Sequence, residues 1–225
     1  MFRIIPDGRS FSEYALLRDG DSVFLRVAGP EDVPAVEALM RGVSRHSLQM
    51  RFMGAVAYVS RSAVEFMCMG DPRDRLSLLA IVGQEPDARV IAIGNYVSLG
   101  VGGRAEVAFL VHDEFQGRGI STLLLERLAG IAAGYGFIGF EAEVLYENQA
   151  MIDVFKDSGF EVCQAEGGGG CIHVQFPGSG LASAEDMLRV GNENHRGSTE
   201  RRDTQSPPRP SLNETRSTYT RSHPP

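Results

Sequence analysis

Apolar and polar positions along this chain follow two periods, one of strands and one of helices. Tyr14-Ala-Leu-Leu17 and Val23-Phe-Leu-Arg-Val27 flank Asp19-Gly-Asp21, a compact turn signal that predicts a hairpin. Val33, Val36, Leu39, Met40 and Val43 recur at helical spacing behind Gly29-Pro-Glu-Asp32. Proline at the first helical position and acids in the positive first turn predict a helix from there to about Gly42. A second helix is predicted over Arg61–Met69, capped by Ser60 and closed by Gly70-Asp-Pro72. Strand-like runs at Leu76–Val82, Val90–Leu99 and Arg104–Val111 follow, separated by turn clusters at 84–87 and 100–103, the pattern of an antiparallel meander. A helix from about Ile120 to Tyr135 leads to a strand at Phe140–Leu145 and a helix at Gln149–Ser158 behind Asn148. Strands at Phe160–Gln164 and Cys171–Phe176 frame four glycines, 167–170.

Beyond Phe176 the pattern changes. A short helix is expected around Ala184–Val190, but from Gly191 on the only large apolar residues are Leu212 and Tyr219. Such a segment cannot bury enough surface to offset its ordering entropy, so disorder is expected from about residue 191. The organisation expected is an N-terminal extension and first strand over 1–22, one domain over 23–177, and a tail over 178–225.

Charge sharpens this division. The chain carries a formal net charge of −7, yet the last 35 residues hold six Arg against four acids, so residues 1–190 carry a net −9. An acidic body without a basic patch repels nucleic acid and anionic membrane, and neither is expected as a partner. No apolar run approaches the roughly 20 residues that span a bilayer, and no charged-then-apolar leader opens the chain. Cys68, Cys163 and Cys171 are odd in number and lack paired spacing, which points to a reducing cytoplasm rather than a disulfide framework. His46, His112 and His173 fall in separate elements with no ligand spacing, so no metal site is expected.

The chemistry is concentrated at one junction. Val107-Ala-Phe-Leu-Val111, then Gln116-Gly-Arg-Gly-Ile-Ser121, then an apolar-periodic run from Leu123 reads as strand, glycine-rich turn and helix N-terminus. Gly117 and Gly119 let backbone approach a ligand closely, and the first helical N–H groups, without intrahelical partners, face an incoming anion with the helix dipole behind them. By itself such a turn is weak evidence of a ligand.

Joined to Asn148-x-x-Met151-x-x-x-Phe155-x-x-x-Gly159-Phe160, the junction resembles the GNAT superfamily of acyl-CoA-dependent N-acyltransferases over about residues 14–177. Arg104-Ala-Glu-Val-Ala-Phe109, the Glu143–Asn148 run and Ser47-x-x-x-Arg51-Phe52 resemble its protein lysine acetyltransferase branch, which is often fused to acyl-CoA synthetase modules; a former fusion of that kind is one origin for this chain. The resemblance implies an α/β (α+β) fold with a mixed, mostly antiparallel sheet flanked by helices. It implies acetyl-CoA as cosubstrate, its pyrophosphate on the N–H groups of Gln116, Gly117, Arg118, Gly119, Ile120 and Ser121. Its pantetheine arm would lie beside Phe109, Leu110 and Val111 where strands 107–111 and 140–145 splay, with Asn148 on the pantetheine side. Glu106 occupies the place of that branch's catalytic base, and a glutamate in that role needs partial burial to strengthen it against an ammonium of pKa about 10.4. Phe155 stands where many relatives carry the tyrosine that protonates the departing thiolate, leaving water or Tyr146 for that step.

The acceptor expected is a primary amine, with protein lysine favoured. A small-molecule amine acetyltransferase would want an acid-lined pocket, for which Glu141, Glu143 and Glu147 are candidates. A non-catalytic acyl-CoA-sensing module would keep residues 116–121 but show no turnover. Arg51-Phe52 reads equally as a substrate-side contact or a packing pair at a helix end.

Overall fold

The structure, a computed structural model, describes residues 3–177 apart from positions 6, 55, 85 and 165–169. The expected helix around Ala184–Val190, the tail from 191 and most of the glycine run at 167–170 lie outside the described residues.

Eight strands form one sheet: β1 (Ser12–Leu16), β2 (Ser22–Val27), β3 (Arg75–Val82), β4 (Arg89–Ser98), β5 (Arg104–Val111), β6 (Gly139–Glu143), β7 (Glu161–Gln164) and β8 (Cys171–Gln175). Their spatial order is β1-β2-β3-β4-β5-β6-β8-β7. Every neighbouring pair is antiparallel except β5 and β6. The sheet is therefore mixed and mostly antiparallel, as the sequence predicts.

Helices cover both faces, which is why β3 and β4 are apolar almost throughout. Leu76, Leu78 and Ala80 of β3 point into one core, while Leu79 and Ile81 point into the other, the alternation that a two-residue side-chain period imposes. The first core holds α4 (Ile120–Gly134) and α5 (Gln149–Lys156), through Leu124, Leu125, Leu128, Ile152 and Phe155. The second holds α1 (Val33–Gly42), α2 (Arg45–Phe52) and α3 (Arg61–Cys68), through Val36, Leu39, Leu48, Phe52, Val64 and Met67. No helix among the described residues is long and apolar enough to cross a membrane.

Three features differ from the expectation. The first helix starts at Val33, because Pro30–Asp32 form a 3-10 turn in which the Asp32 carboxylate accepts from the Gly29 N–H at 2.8 Å and from Arg26 at 2.6 Å. Burial works to raise the Asp32 pKa, but the hydrogen bonds from Arg26 and Gly29 outweigh it and hold it below the usual range. Helix α2 is wholly additional. Its sequence, Arg-His-Ser-Leu-Gln-Met-Arg-Phe, carries no apolar stripe, and the one local signal was Ser44, whose hydroxyl caps it by accepting from the Ser47 N–H at 3.2 Å. Strand β6 ends at Glu143, two residues short of its predicted end.

Helix α4 carries the glycine turn, so its seating fixes the site. Leu124 is fully buried under it, against the sheet. Leu124→Ala is expected to destabilise the fold by about 2–5 kcal/mol through lost burial and the cavity left behind. A urea titration followed by circular dichroism measures this, and an unchanged midpoint would contradict the packing described.

Candidate active site

The parallel pair β5–β6 is short. Register runs only from Arg104, Ala105 and Glu106 to Gly139, Phe140 and Glu141. Beyond Glu106, β5 continues for five residues to Val111 while β6 diverges, so the two strands open like a wedge. A cleft of about 510 Å³ lies at this opening and runs to the N-terminus of α4. Its walls include Phe109, Leu110, Val111, Gln116, Gly117, Gly119, Ile120, Ser121 and Asn148, so nine of the ten residues expected to hold a cosubstrate come together there.

The turn between β5 and α4 has the geometry its glycines require. Gly117 and Gly119 sit at φ +75° and +87°, in the left-handed region that a side chain strains to reach. The first bond closing back on α4 runs from the Leu123 N–H to the Gly119 carbonyl, which leaves the N–H groups of Ile120, Ser121 and Thr122 without partners within the helix. All three residues line the cleft. A row of donors at the positive end of a 15-residue helix, on glycine-freed backbone, is fitted to a polyanion.

The tenth residue, Arg118, does not face the cleft. Its guanidinium pairs with Asp19 and Asp21 on the β1–β2 turn and stacks over Phe115. Only its main chain remains for the role expected of it. Gln116 also turns inward, its side-chain amide donating to the Val111 carbonyl at 3.1 Å and to the Ser47 hydroxyl at 3.0 Å. Asn148 caps α5, its side-chain carbonyl accepting from the Met151 N–H at 3.2 Å.

Helix α2, missed from the sequence, forms the opposite wall with His46, Ser47, Met50 and Arg51. Asp113 latches it to the glycine turn, accepting from the Ser44 N–H at 2.8 Å, the Ser44 hydroxyl at 2.7 Å and the Ser47 hydroxyl at 2.8 Å. Partial burial pushes the Asp113 pKa up, but the Ser44 and Ser47 hydrogen bonds bring it below the usual carboxylate range. Arg51 and Phe52 take separate roles: Arg51, buried in the cleft wall, donates to the Asn95 carbonyl oxygen at 2.6 Å, while Phe52 packs in the second core. Phe155 is buried against Phe109 at 6.3 Å between ring centroids, and Tyr146 is exposed.

Glu106 lies outside the cleft lining, half-buried on β5, opposite Val97 of β4 and Glu141 of β6. By parity it shares the sheet face of Leu110, which packs toward α1–α3. Next to it on that face is a cluster no sequence spacing revealed. Glu141 Oε1 lies 3.5 Å from His173 Nδ1 and 4.0 Å from Arg104 Nε, and His173 Nε2 lies 3.6 Å from Cys171 Sγ. Cys171-x-His173 on one strand was the available signal, but Glu141 joins only through the β6–β8 pairing, in which it stands opposite His173. The ligand atoms of Glu141, Cys171 and His173 are within 4.8 Å of one another. The two ring nitrogens address different partners, Nδ1 the Glu141 carboxylate and Nε2 the Cys171 thiol.

The cluster gives the fold a defined pH signature. Contact with Cys171, and then with Glu141, raises the His173 pKa from 6.5 to about 9. The His173 hydrogen bond lowers the Glu141 pKa from 4.5 against the opposing effect of burial. The raised histidine contributes stability that is full below about pH 6.5 and lost as pH climbs through about 9; the depressed glutamate contributes stability present above pH 4.5 and lost on acidification. Wild type is therefore expected to exceed His173→Gln in urea midpoint between pH 4.5 and 6.5 and to converge on it by about pH 10. A constant difference across that range would refute the coupling.

Comparison with known proteins places this geometry. Residues 48–160 match the acetyltransferase (GNAT) family. An acetyltransferase of Pseudomonas aeruginosa is 25% identical over 144 residues, which cover 64% of this chain and 77% of that protein. Acetyltransferase Pat of Mycolicibacterium smegmatis is 32% identical over 142 residues, covering 60% of this chain and only 40% of the relative. The solved GNAT domain of S. lividans PAT superposes with a TM-score of 0.66 at 33% identity, over 73% of this chain and 96% of that domain. With a family match over half its length and the wedge-shaped opening between β5 and β6 in place, this chain belongs to the GNAT family of acetyltransferases.

Proposed function

We propose that the chain transfers an acetyl group from acetyl-CoA to the side-chain amine of a lysine on another protein. The observation that carries this reading is the divergence of β5 from β6 directly beside the glycine turn. It leaves the edge of residues 107–111 available to the two amides of a pantetheine arm, with the phosphate-fitted backbone at one end and Glu106 at the other.

In this mechanism the N–H groups from Gly117 to Ser121 take the diphosphate, Arg118 through its main chain, while the expected N–H of Gln116 donates instead to the Asp113 carbonyl at 3.3 Å. Phe109, Leu110 and Val111 flank the pantetheine arm, and Asn148, Met151 and Val154 face them across the cleft. Glu106, directly or through one water, accepts a proton from the acceptor ammonium, which is not nucleophilic while protonated. The freed amine attacks the thioester carbonyl, the carbon–nitrogen bond forms, the nitrogen sheds its second proton to water, and the carbon–sulfur bond breaks with its electron pair leaving on sulfur. Backbone N–H groups on the opened edge of β5 stabilise the oxygen that gains charge. With Phe155 sealed in the core and Tyr146 exposed, water protonates the departing thiolate.

Two observations favour a protein-borne acceptor. Glu106 lies beside a polar, half-exposed stretch of open sheet formed by Glu141, Cys171 and His173, where a protruding side chain can reach it. Of the three acids that would line a small-molecule pocket, only Glu147 lies on the cleft, and Glu141 is engaged by His173 and Arg104. Free Cys68 and Cys171 suit a reducing, cytoplasmic setting.

Glu106→Gln keeps shape and removes the base, so kcat is expected to fall about 10²–10⁴-fold while CoA affinity stays within twofold. The measurement is transfer of label from radiolabelled acetyl-CoA to a candidate protein and, in parallel, to polyamines. Labelling of polyamines alone would overturn the protein acceptor, and full activity of Glu106→Gln would overturn the base.

A further inference from the structure

The glycine turn is fitted to a polyanion, yet the body of the chain is acidic and Glu147, Asp153 and Asp157 lie on the same cleft. A coenzyme phosphate entering that field gains from a local cation. The turn's own arginine is not available for it, because Arg118 is held by Asp19 and Asp21. The cation that does face the turn comes from elsewhere in the chain, and we propose that Arg18, at the tip of the β1–β2 hairpin, is the phosphate-binding side chain of the donor site. This rests on the reading that CoA docks its phosphates at residues 117–121.

The geometry is specific. The Arg18 side chain lies across Gly119, so that a Cβ built on that glycine would stand 3.1 Å from Arg18 Cγ and 3.2 Å from its Nε. Arg18 lines the cleft together with Gly117, Gly119, Ser121 and Thr122, and among the described residues no carboxylate pairs with it. Its backbone is fixed at the same point, the Arg18 N–H donating to the Arg118 carbonyl at 3.2 Å. The turn beneath it is closed by the Leu17 N–H on the Asp21 carbonyl at 2.8 Å and the Gly20 N–H on the Leu17 carbonyl at 3.0 Å.

Two arginines thus divide the work. Arg118 reaches outward from the glycine turn and clasps the hairpin through its two acids, and the hairpin returns Arg18 over the glycine turn. The clasp sets one positive charge against the acids at 19 and 21, which lessens their repulsion at the phosphate site. Guanidinium suits this task, since its planar fork meets phosphate oxygens in pairs. The stretch that matches the family begins at residue 48, thirty residues beyond Arg18.

Calorimetric titration of the full chain with CoA and with 3′-dephospho-CoA tests the assignment. Arg18→Gln is expected to raise the CoA Kd about 10-fold or more, the effect of losing a charged hydrogen-bond donor. It is also expected to flatten the dependence of Kd on salt, and Arg18→Lys to recover part of both. If the loss vanishes with 3′-dephospho-CoA, Arg18 holds the 3′-phosphate; if it persists, Arg18 holds the diphosphate; either result supports the proposal. An unchanged Kd in Arg18→Gln overturns it. So does a weakened Kd with the wild-type salt slope and no recovery in Arg18→Lys, the outcome of a purely structural role. Wild type that takes up no CoA would instead overturn the donor reading itself, and thermal melts of each variant confirm that the fold is intact.

Discussion

Everything at the site depends on two strands parting. Hydrogen bonding between β5 and β6 ends at Glu106 and Glu141, and farther along β5 Phe109, Leu110 and Val111 line a cleft. An unpaired strand edge inside a sheet is costly unless something takes up its donors and acceptors, and the proposed pantetheine arm would do so. The sheet can carry this gap because both sides are anchored independently: β5 by its long antiparallel pairing with β4, β6 by β8.

Around that opening, the elements act as braces. Asp113 and Gln116 sit within one short connection and fasten it to α2 through Ser44 and Ser47, so the glycine turn and the helix that walls the cleft form one hydrogen-bonded unit. Arg118 fastens the same connection to the β1–β2 hairpin. Side chains that a motif presents as ligands are here spent on holding the loop, and in the proposed donor site contact with an anion falls to the main chain and to a residue far away in sequence.

That distribution explains what could be read from the residues alone. The strands were legible because alternating or continuous apolar runs are bounded by glycine and proline, and the glycine turn because φ above zero needs glycine at 117 and 119. Helix α2 was not, since five of its eight residues are charged or polar and its burial depends on a few side chains such as Leu48 and Phe52. The place of Glu106 came from resemblance, as nothing in an isolated strand tells a base from a solvated acid. Arg18 and the Glu141–His173–Cys171 group were invisible because each depends on pairings between segments far apart in the chain, the hairpin against the turn in one case and β6 against β8 in the other.

The amide of Gln116 has one further consequence. It spans the last carbonyl of β5 and the first turn of α2, a strut between the strand that would carry the donor and the helix facing it. Losing it would release the Val111 carbonyl and the Ser47 hydroxyl together, so one residue at the head of the glycine turn ties both walls of the cleft.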